Sequence, residues 1–172
     1  MTAEEYYKHI YRLAFIVRFQ NRIRVHNENV AEHSFFVAAI ILQLYDDYEF
    51  DLGKALELAV SHDIVEIDVN DITNDVTSKY PNLEAELHLA AREEICKYPH
   101  SVYYGFLEYE EQKTIEARIA KLADIIQVRQ YVMLEQSLGN STFPDILAAI
   151  RRREWASKQE LRKHERDNGT NS

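Results

Sequence analysis

Between Val30 and Tyr45 the chain is apolar almost all the way round, with Phe35, Phe36, Val37, Ile40, Ile41, Leu42 and Leu44 leaving no continuous polar face. A helix of that kind is stable in water only when other helices surround it, so the segment predicts the centre of a bundle. The rest of the sequence agrees. Only 4 Gly and 3 Pro interrupt 172 residues, and no stretch alternates with the two-residue period of a half-buried strand. With 46% apolar residues there is enough material for one substantial core. The expected fold class is therefore all-α, a single bundle of about six to seven helices over residues 1–166, with 167–172 as a disordered polar tail.

Thr2 and Glu5 form a capping-box pattern ahead of Tyr6, Ile10, Leu13, Ala14 and Val17, which recur at helical spacing. Phe19 to Asn29 is polar and reads as a loop, a candidate wall for a site. Asp51 is placed to cap a helix whose Leu52, Ala55, Leu56, Ala59 and Val60 run directly into His62. Asp68 to Lys79 is dense in carboxylates and amides and suits a loop at a site mouth. Pro81 or Asn82 opens a helix to about Lys97, and Pro99 stops it. A Tyr-rich segment over 98–110 reads as mobile. A long helix follows from about Gln112 to Leu138, ended by Gly139, and a last amphipathic helix runs from about Pro144 to His164.

A formal charge of −9 at pH 7 argues against a protein that tracks nucleic-acid phosphates. The one basic concentration, Arg151 to Arg153 with Lys158, Arg162, Lys163 and Arg166, is interleaved with Glu154, Glu160 and Glu165 and reads as a solvated helix face. No run of eighteen apolar residues occurs and the N-terminus begins acidic, so a soluble, cytoplasmic protein without membrane or nucleic-acid partners is expected. The single cysteine, Cys96, rules out an internal disulfide and is expected to be structural. Eleven Tyr make a homodimer or higher homo-oligomer an expectation.

Chemistry concentrates around His62-Asp63. In a continuing third helix Ala59, His62, Asp63 and Glu66 stand at i, i+3, i+4 and i+7, so three ionisable groups share the face that carries the apolar stripe. Burying them beside one another costs several kcal/mol on the order-of-magnitude scale for buried charge, a cost that a divalent ion removes. His33 lies in the first turn of the apolar helix. Asp124 is flanked by apolar residues, with a salt bridge to Lys121 or Arg118 as its alternative role. Two imidazoles and two carboxylates suit Mn, Fe, Co, Zn or Mg. His9, His26, His88, His100 and His164 read as surface or interface residues.

Arg18-Phe19, the stretch Glu28 to His33, His62-Asp63-Ile64-Val65-Glu66, Asp71 and Leu122-Ala123-Asp124 together resemble the HD-domain metal-dependent phosphohydrolases, particularly bacterial 5'-deoxynucleotidases and phage dNTP triphosphohydrolases. The resemblance spans residues 1 to about 140. It implies one divalent metal held by His33, His62, Asp63 and Asp124, proton handling by Glu66 and Asp71, and a phosphate oriented by Arg18. Phe19 would stand next to the sugar, and Asp71 would also touch substrate. The activity implied is hydrolysis of a 2'-deoxynucleoside 5'-monophosphate to nucleoside and phosphate, with release of triphosphate from a dNTP as the rival and a non-catalytic nucleotide-binding regulator as the rival of another class. The family's Asp-x-Pro-Thr loop reads Asp71-Ile72-Thr73-Asn74 here.

Overall fold

The computed structural model describes the backbone from residue 2 to residue 169, and the side chains over that range apart from 74, 75 and 165–169. Among the described residues there are nine α-helices, two of them a single turn long. They are α1 (Ala3–Ile10), α2 (Val30–Leu44), α3 (Leu52–Ser61), α4 (Glu66–Val69), α5 (Asn74–Thr77), α6 (Pro81–Ile95), α7 (His100–Glu111), α8 (Ile115–Ser137) and α9 (Pro144–Gly169). The seven longer ones make the expected all-helical bundle. The last helix runs through Gly169, and residues 170–172 of the expected tail lie outside the described residues.

α2 is the central element. Asn29 caps it by accepting from the Glu32 N–H, while the Glu32 carboxylate reaches back to the Asn29 N–H. Val30, His33, Val37, Ile41 and Leu44 point inward against α3 and α8. Only that half of the helix is covered, since Phe35 and Leu42 are exposed. A second core joins Ile64, Val65 and Ile67 to Ala91, Ile95, Val102 and Phe106, and Tyr6, Ile10 and Leu13 of the N-terminal segment pack on it. A third gathers Phe19, Tyr131, Val132, Phe143 and Ile150 where α9 folds back along α8.

Several expectations change. The first helix gives way at Tyr11 to a 3-10 turn (Tyr11–Phe15), and Val17 instead forms an isolated antiparallel bridge with Asn29. Arg18 N–H donates to Glu28 O at 2.9 Å and Val30 N–H to Ile16 O at 3.0 Å, so the polar loop is pinched shut at its base. The segment over 98–110 is not loose: it contains α7, whose buried Val102, Gly105, Phe106 and Tyr109 fall at i, i+3, i+4 and i+7. Finally, the helix expected to carry His62, Asp63 and Glu66 stops at Ser61. Ser61 Oγ donates to the Glu57 and Leu58 carbonyls, and the following residues close tighter i to i−3 bonds, Ile64 to Ser61 and Glu66 to Asp63, before α4 begins. Cys96 is exposed, its Sγ donating to Arg92 O.

Gly105 sets the distance between α7 and the end of α3, because a Cβ there would fall 2.5 Å from Ser61 Oγ. That hydroxyl is already committed to two carbonyls and has little freedom to turn away. Gly105→Ala is expected to destabilise the fold by about 1–3 kcal/mol, read as a lower midpoint of urea unfolding. Combining it with Ser61→Ala should recover part of the loss, and a midpoint equal to wild type in the single variant would contradict the close approach.

Candidate metal centre

Three helices deliver the cluster. α2 supplies His33, the C-terminal end of α3 supplies His62 with Asp63 one residue on, and α8 supplies Asp124. Donor atoms of His33, His62 and Asp124 lie within 4.8 Å of one another. His33 Nε2 is 3.2 Å from His62 Nε2, 3.3 Å from Asp63 Oδ2 and 3.5 Å from Asp124 Oδ1, and His62 Nε2 is 3.2 Å from Asp63 Oδ2. Both imidazoles are buried.

The proton inventory favours a cation at this point. Gln127 Nε2 donates to Glu28 Oε2 at 2.5 Å, which turns the Gln127 carbonyl towards His33 Nδ1 at 2.7 Å. His33 Nδ1 therefore carries the ring proton. His62 Nδ1 likewise donates to Ala59 O at 2.8 Å. In the neutral rings both Nε2 atoms then present lone pairs, facing each other and two carboxylate oxygens with no hydrogen between them. Burial opposes charge on His62, but Asp63 and Asp124 outweigh it and raise its pKa, whereas burial and Arg18 lower that of His33. A divalent ion satisfies all four acceptors, so the residues fit one.

Asp124 resolves the choice left open by the sequence, because it does both things. Its Oδ2 accepts from Lys121 Nζ at 2.9 Å and from Tyr109 OH at 3.0 Å, while Oδ1 faces His33. Arg118 is elsewhere, donating to Gln112 O. Burial would raise the Asp124 pKa, but Lys121 and the two imidazoles overcome it and keep the carboxyl ionised.

Arg18 and Glu66 flank the cluster. The Arg18 guanidinium is 9% exposed, and its Nε and Nη1 have no hydrogen-bond partner. The nearest carboxylates are Asp63 Oδ2 at 3.7 Å and Glu28 Oε1 at 3.9 Å. Burial works against its charge, yet Asp63, Glu66, Asp71 and Asp124 together hold it protonated. Glu66 Oε2 is also buried without a partner. Burial first, then repulsion from Asp63 and Asp71, raises its pKa well above the ordinary range despite Arg18.

Phe19 is the strained residue. Its φ of 53° is left-handed, which costs a non-glycine residue on the order of 1–3 kcal/mol. Asp71 Oδ2 accepts from its N–H at 3.2 Å, Arg24 Nη1 and the Arg22 N–H donate to its carbonyl, and its ring stacks on Tyr131. The strain sends adjacent side chains apart, Arg18 towards the cluster and the Phe19 ring largely into the third core. Asp71 thus already serves the backbone with one oxygen, and burial raises its pKa.

A cavity of about 560 Å³ opens over these groups. It is lined by the expected Arg18, Phe19, His62, Asp63, Glu66, Asp71 and Asp124, and by residues the sequence did not single out for it, including Tyr109, Glu110, Lys121, Val128, Ile146 and Arg153. His33 lies behind His62 and does not line it. Lys121, Gln127 and Val128 stand at −3, +3 and +4 from Asp124, so helical spacing alone carried the signal for them. Arg153, read as part of a solvated face, stands at the rim.

A profile for the HD domain matches residues 10–164. The chain belongs to the HD-domain family. Solved structures similar to this HD-domain protein include one from Pyrococcus furiosus, a conserved hypothetical protein, with 25% identity, a TM-score of 0.74, and 94% of this chain and 99% of the other covered. A Pyrococcus horikoshii protein is 24% identical with a TM-score of 0.77, covering 95% and 94%. An HD-domain phosphohydrolase of Listeria innocua is 22% identical with a TM-score of 0.73, covering 95% of this chain and 82% of the other. No curated protein matches significantly.

The inner hydrogen bonds of this HD domain should govern its metal affinity. Gln127→Leu removes the acceptor that fixes the His33 tautomer, and a loss of roughly 10- to 100-fold in affinity is expected, measured by titration with a divalent ion. Unchanged affinity would show that Gln127 does not orient His33.

Proposed function

We propose that the chain is a metal-dependent phosphohydrolase acting on a small nucleotide, specifically a 2'-deoxynucleoside 5'-monophosphate. The observation that carries the proposal is the buried Arg18 guanidinium, with two unpartnered nitrogens beside an acceptor-only cluster. A phosphate placed in the cavity would meet the planar donors of this guanidinium. The Listeria innocua relative, described as an HD-domain phosphohydrolase, supports the phosphohydrolase part of this reading and bears on no substrate.

A divalent ion bound by His33, His62, Asp63 and Asp124 would polarise a phosphoryl oxygen and acidify water. The chain's own residues supply the rest. Arg18 orients the phosphate and neutralises charge as the P–O bond breaks. Glu66, held protonated more readily than an ordinary carboxyl, exchanges a proton with the attacking water or the leaving oxygen. Lys121 and Tyr109 engage one oxygen of Asp124, leaving the other for the ion.

Charge balance favours a monophosphate. Arg24 is turned onto the Phe19 carbonyl and Lys79 does not line the cavity, while Arg22 does line it but is paired with Asp145. None of these three cations both lines the cavity and stands uncommitted, as a longer phosphate chain would need. Lys121 and Arg153 on the cavity wall keep a dNTP triphosphohydrolase as the second reading. Deoxyribose preference would follow from an apolar wall at Phe19, since a buried unpaired 2'-hydroxyl costs about 1–3 kcal/mol. Assay of the metal-loaded protein against matched dNMP, rNMP and dNTP, with phosphate and triphosphate resolved, tests all three parts. Exclusive release of triphosphate would replace the monophosphatase reading, and equal kcat/KM for dNMP and rNMP would remove the sugar preference.

A further inference from the structure

The cavity is larger than a phosphate and a metal centre need, and its two ends differ in chemistry. At about 560 Å³ it falls in the range of small-molecule sites. One end holds His62, Asp63, Asp124 and Arg18. The other is built from Ile146, Ala149 and Ile150 of α9, while Val128 of α8 lines the cavity one helical turn after Asp124. Asp145, Ile146, Ala149, Ile150 and Arg153 stand at i, i+1, i+4, i+5 and i+8, so a single face of α9 supplies this wall. Ala149, between two isoleucines, is the smallest side chain of this wall, so a ring placed against it can approach α9 most closely there. Ile150 is itself anchored in the core around Phe143, which makes the wall rigid.

The two ends are held in register by a clasp. Arg22 donates to Asp145 Oδ1 at 3.3 Å, to Asp145 Oδ2 at 3.1 Å and to Thr142 O at 3.2 Å. It thereby ties the loop that follows Arg18 to the first turn of α9. Asn140 and Thr142 add bonds to Ile23 O from the same side. The separation between the phosphate position and the apolar wall is therefore built into the fold.

We infer that the first three turns of α9, with Val128, form the leaving-group subsite, and that it takes a flat ring system with hydrogen-bond acceptors on its edge, with Arg153 as the residue that reads the edge. This rests on the phosphohydrolase reading. The apolar wall excludes water from a ring face. Arg153 is exposed at the rim, and among the described residues it makes no hydrogen bond or ion pair, so its planar donors are available to paired acceptors such as a carbonyl beside a ring nitrogen. In the hydrolysis the ester P–O bond breaks, a water oxygen bonds to phosphorus, and the departing alcohol, still carrying its ring, leaves along this wall with the proton it has gained.

The test compares dGMP with 2-deoxyribose 5-phosphate, which keeps sugar and phosphate but has no ring, in wild type, Ala149→Trp and Arg153→Ala, with metal content measured on each variant. Wild type should use dGMP with roughly 10- to 100-fold higher kcat/KM than the ringless ester. Ala149→Trp blocks the close approach and should collapse that ratio towards one. Arg153→Ala, a surface change that leaves the core untouched, should lower the ratio roughly three- to tenfold. Equal kcat/KM for both esters in wild type, or a ratio that neither variant moves, would overturn the subsite while leaving the phosphohydrolase reading in place. Hydrolysis of neither ester would overturn that reading and this inference with it.

Discussion

Glu66→Ala is expected to lower turnover by roughly 10²- to 10⁴-fold while metal content stays near that of wild type. Glu66 lines the cavity next to the cluster, but unlike Asp63, whose Oδ2 stands 3.3 and 3.2 Å from the His33 and His62 Nε2 atoms, it makes no contact of that kind with either imidazole. One oxygen of its carboxyl is buried without a partner, and its pKa is raised well above the ordinary range. A group so placed spends its chemistry on a proton. Glu66→Gln keeps the shape but cannot transfer the proton, so it should be nearly as inactive as Glu66→Ala. Parallel loss of metal and activity would instead make Glu66 a ligand, and retained activity would remove it from the mechanism.

Arg18→Ala should lower kcat/KM by roughly 10- to 150-fold, the range for losing a hydrogen bond to a charged group, and by more than Arg22→Ala. The comparison matters because the two arginines lie four residues apart on one loop but have different partners. Arg18 has two nitrogens without hydrogen bonds, whereas Arg22 is committed to Asp145 and Thr142. Arg24→Ala should act through the backbone, since its guanidinium supports the strained Phe19 carbonyl. It is expected to weaken stability as well as activity. Inorganic phosphate used as a competitive inhibitor separates the cases, because only Arg18→Ala should abolish most of its binding. Equal inhibition constants in Arg18→Ala and wild type would contradict the phosphate role.

The bundle was legible where a residue pattern has one physical solution. Val30 to Leu44 does form a helix, but it is covered on one half only, with Phe35, Phe36 and Leu42 exposed rather than enclosed by other helices, and Asp51 does cap α3 by accepting from the Lys54 N–H. Gly139, with φ of 89°, does close α8. The four expected metal-binding side chains do meet, although the reason differs in detail from the pattern that suggested them. Periodicity placed His62, Asp63 and Glu66 on one face of a continuous helix; the chain tightens after Ser61, a change that alters hydrogen bonding without scattering those side chains. α7 was missed because its inward positions are Val102, Gly105, Phe106 and Tyr109, and a glycine and a tyrosine dilute the apolar signal that defines a helix face. Phe19 carries no mark of its left-handed backbone, since phenylalanine rarely adopts it and Asp71, Arg24 and Tyr131 impose it from a distance. The role of α9 was hidden for another reason: one face serves both the third core and the cavity, and composition cannot divide the two.

The central claim is that His33, His62, Asp63 and Asp124 form one divalent metal site in this HD domain. Elemental analysis of the purified protein, with the same measurement on the His62→Ala/Asp63→Ala double variant, tests it most directly. One divalent ion per chain in wild type and near-complete loss in the double variant is the expected result. Two tightly held ions per chain, or full retention of metal by the double variant, would contradict it.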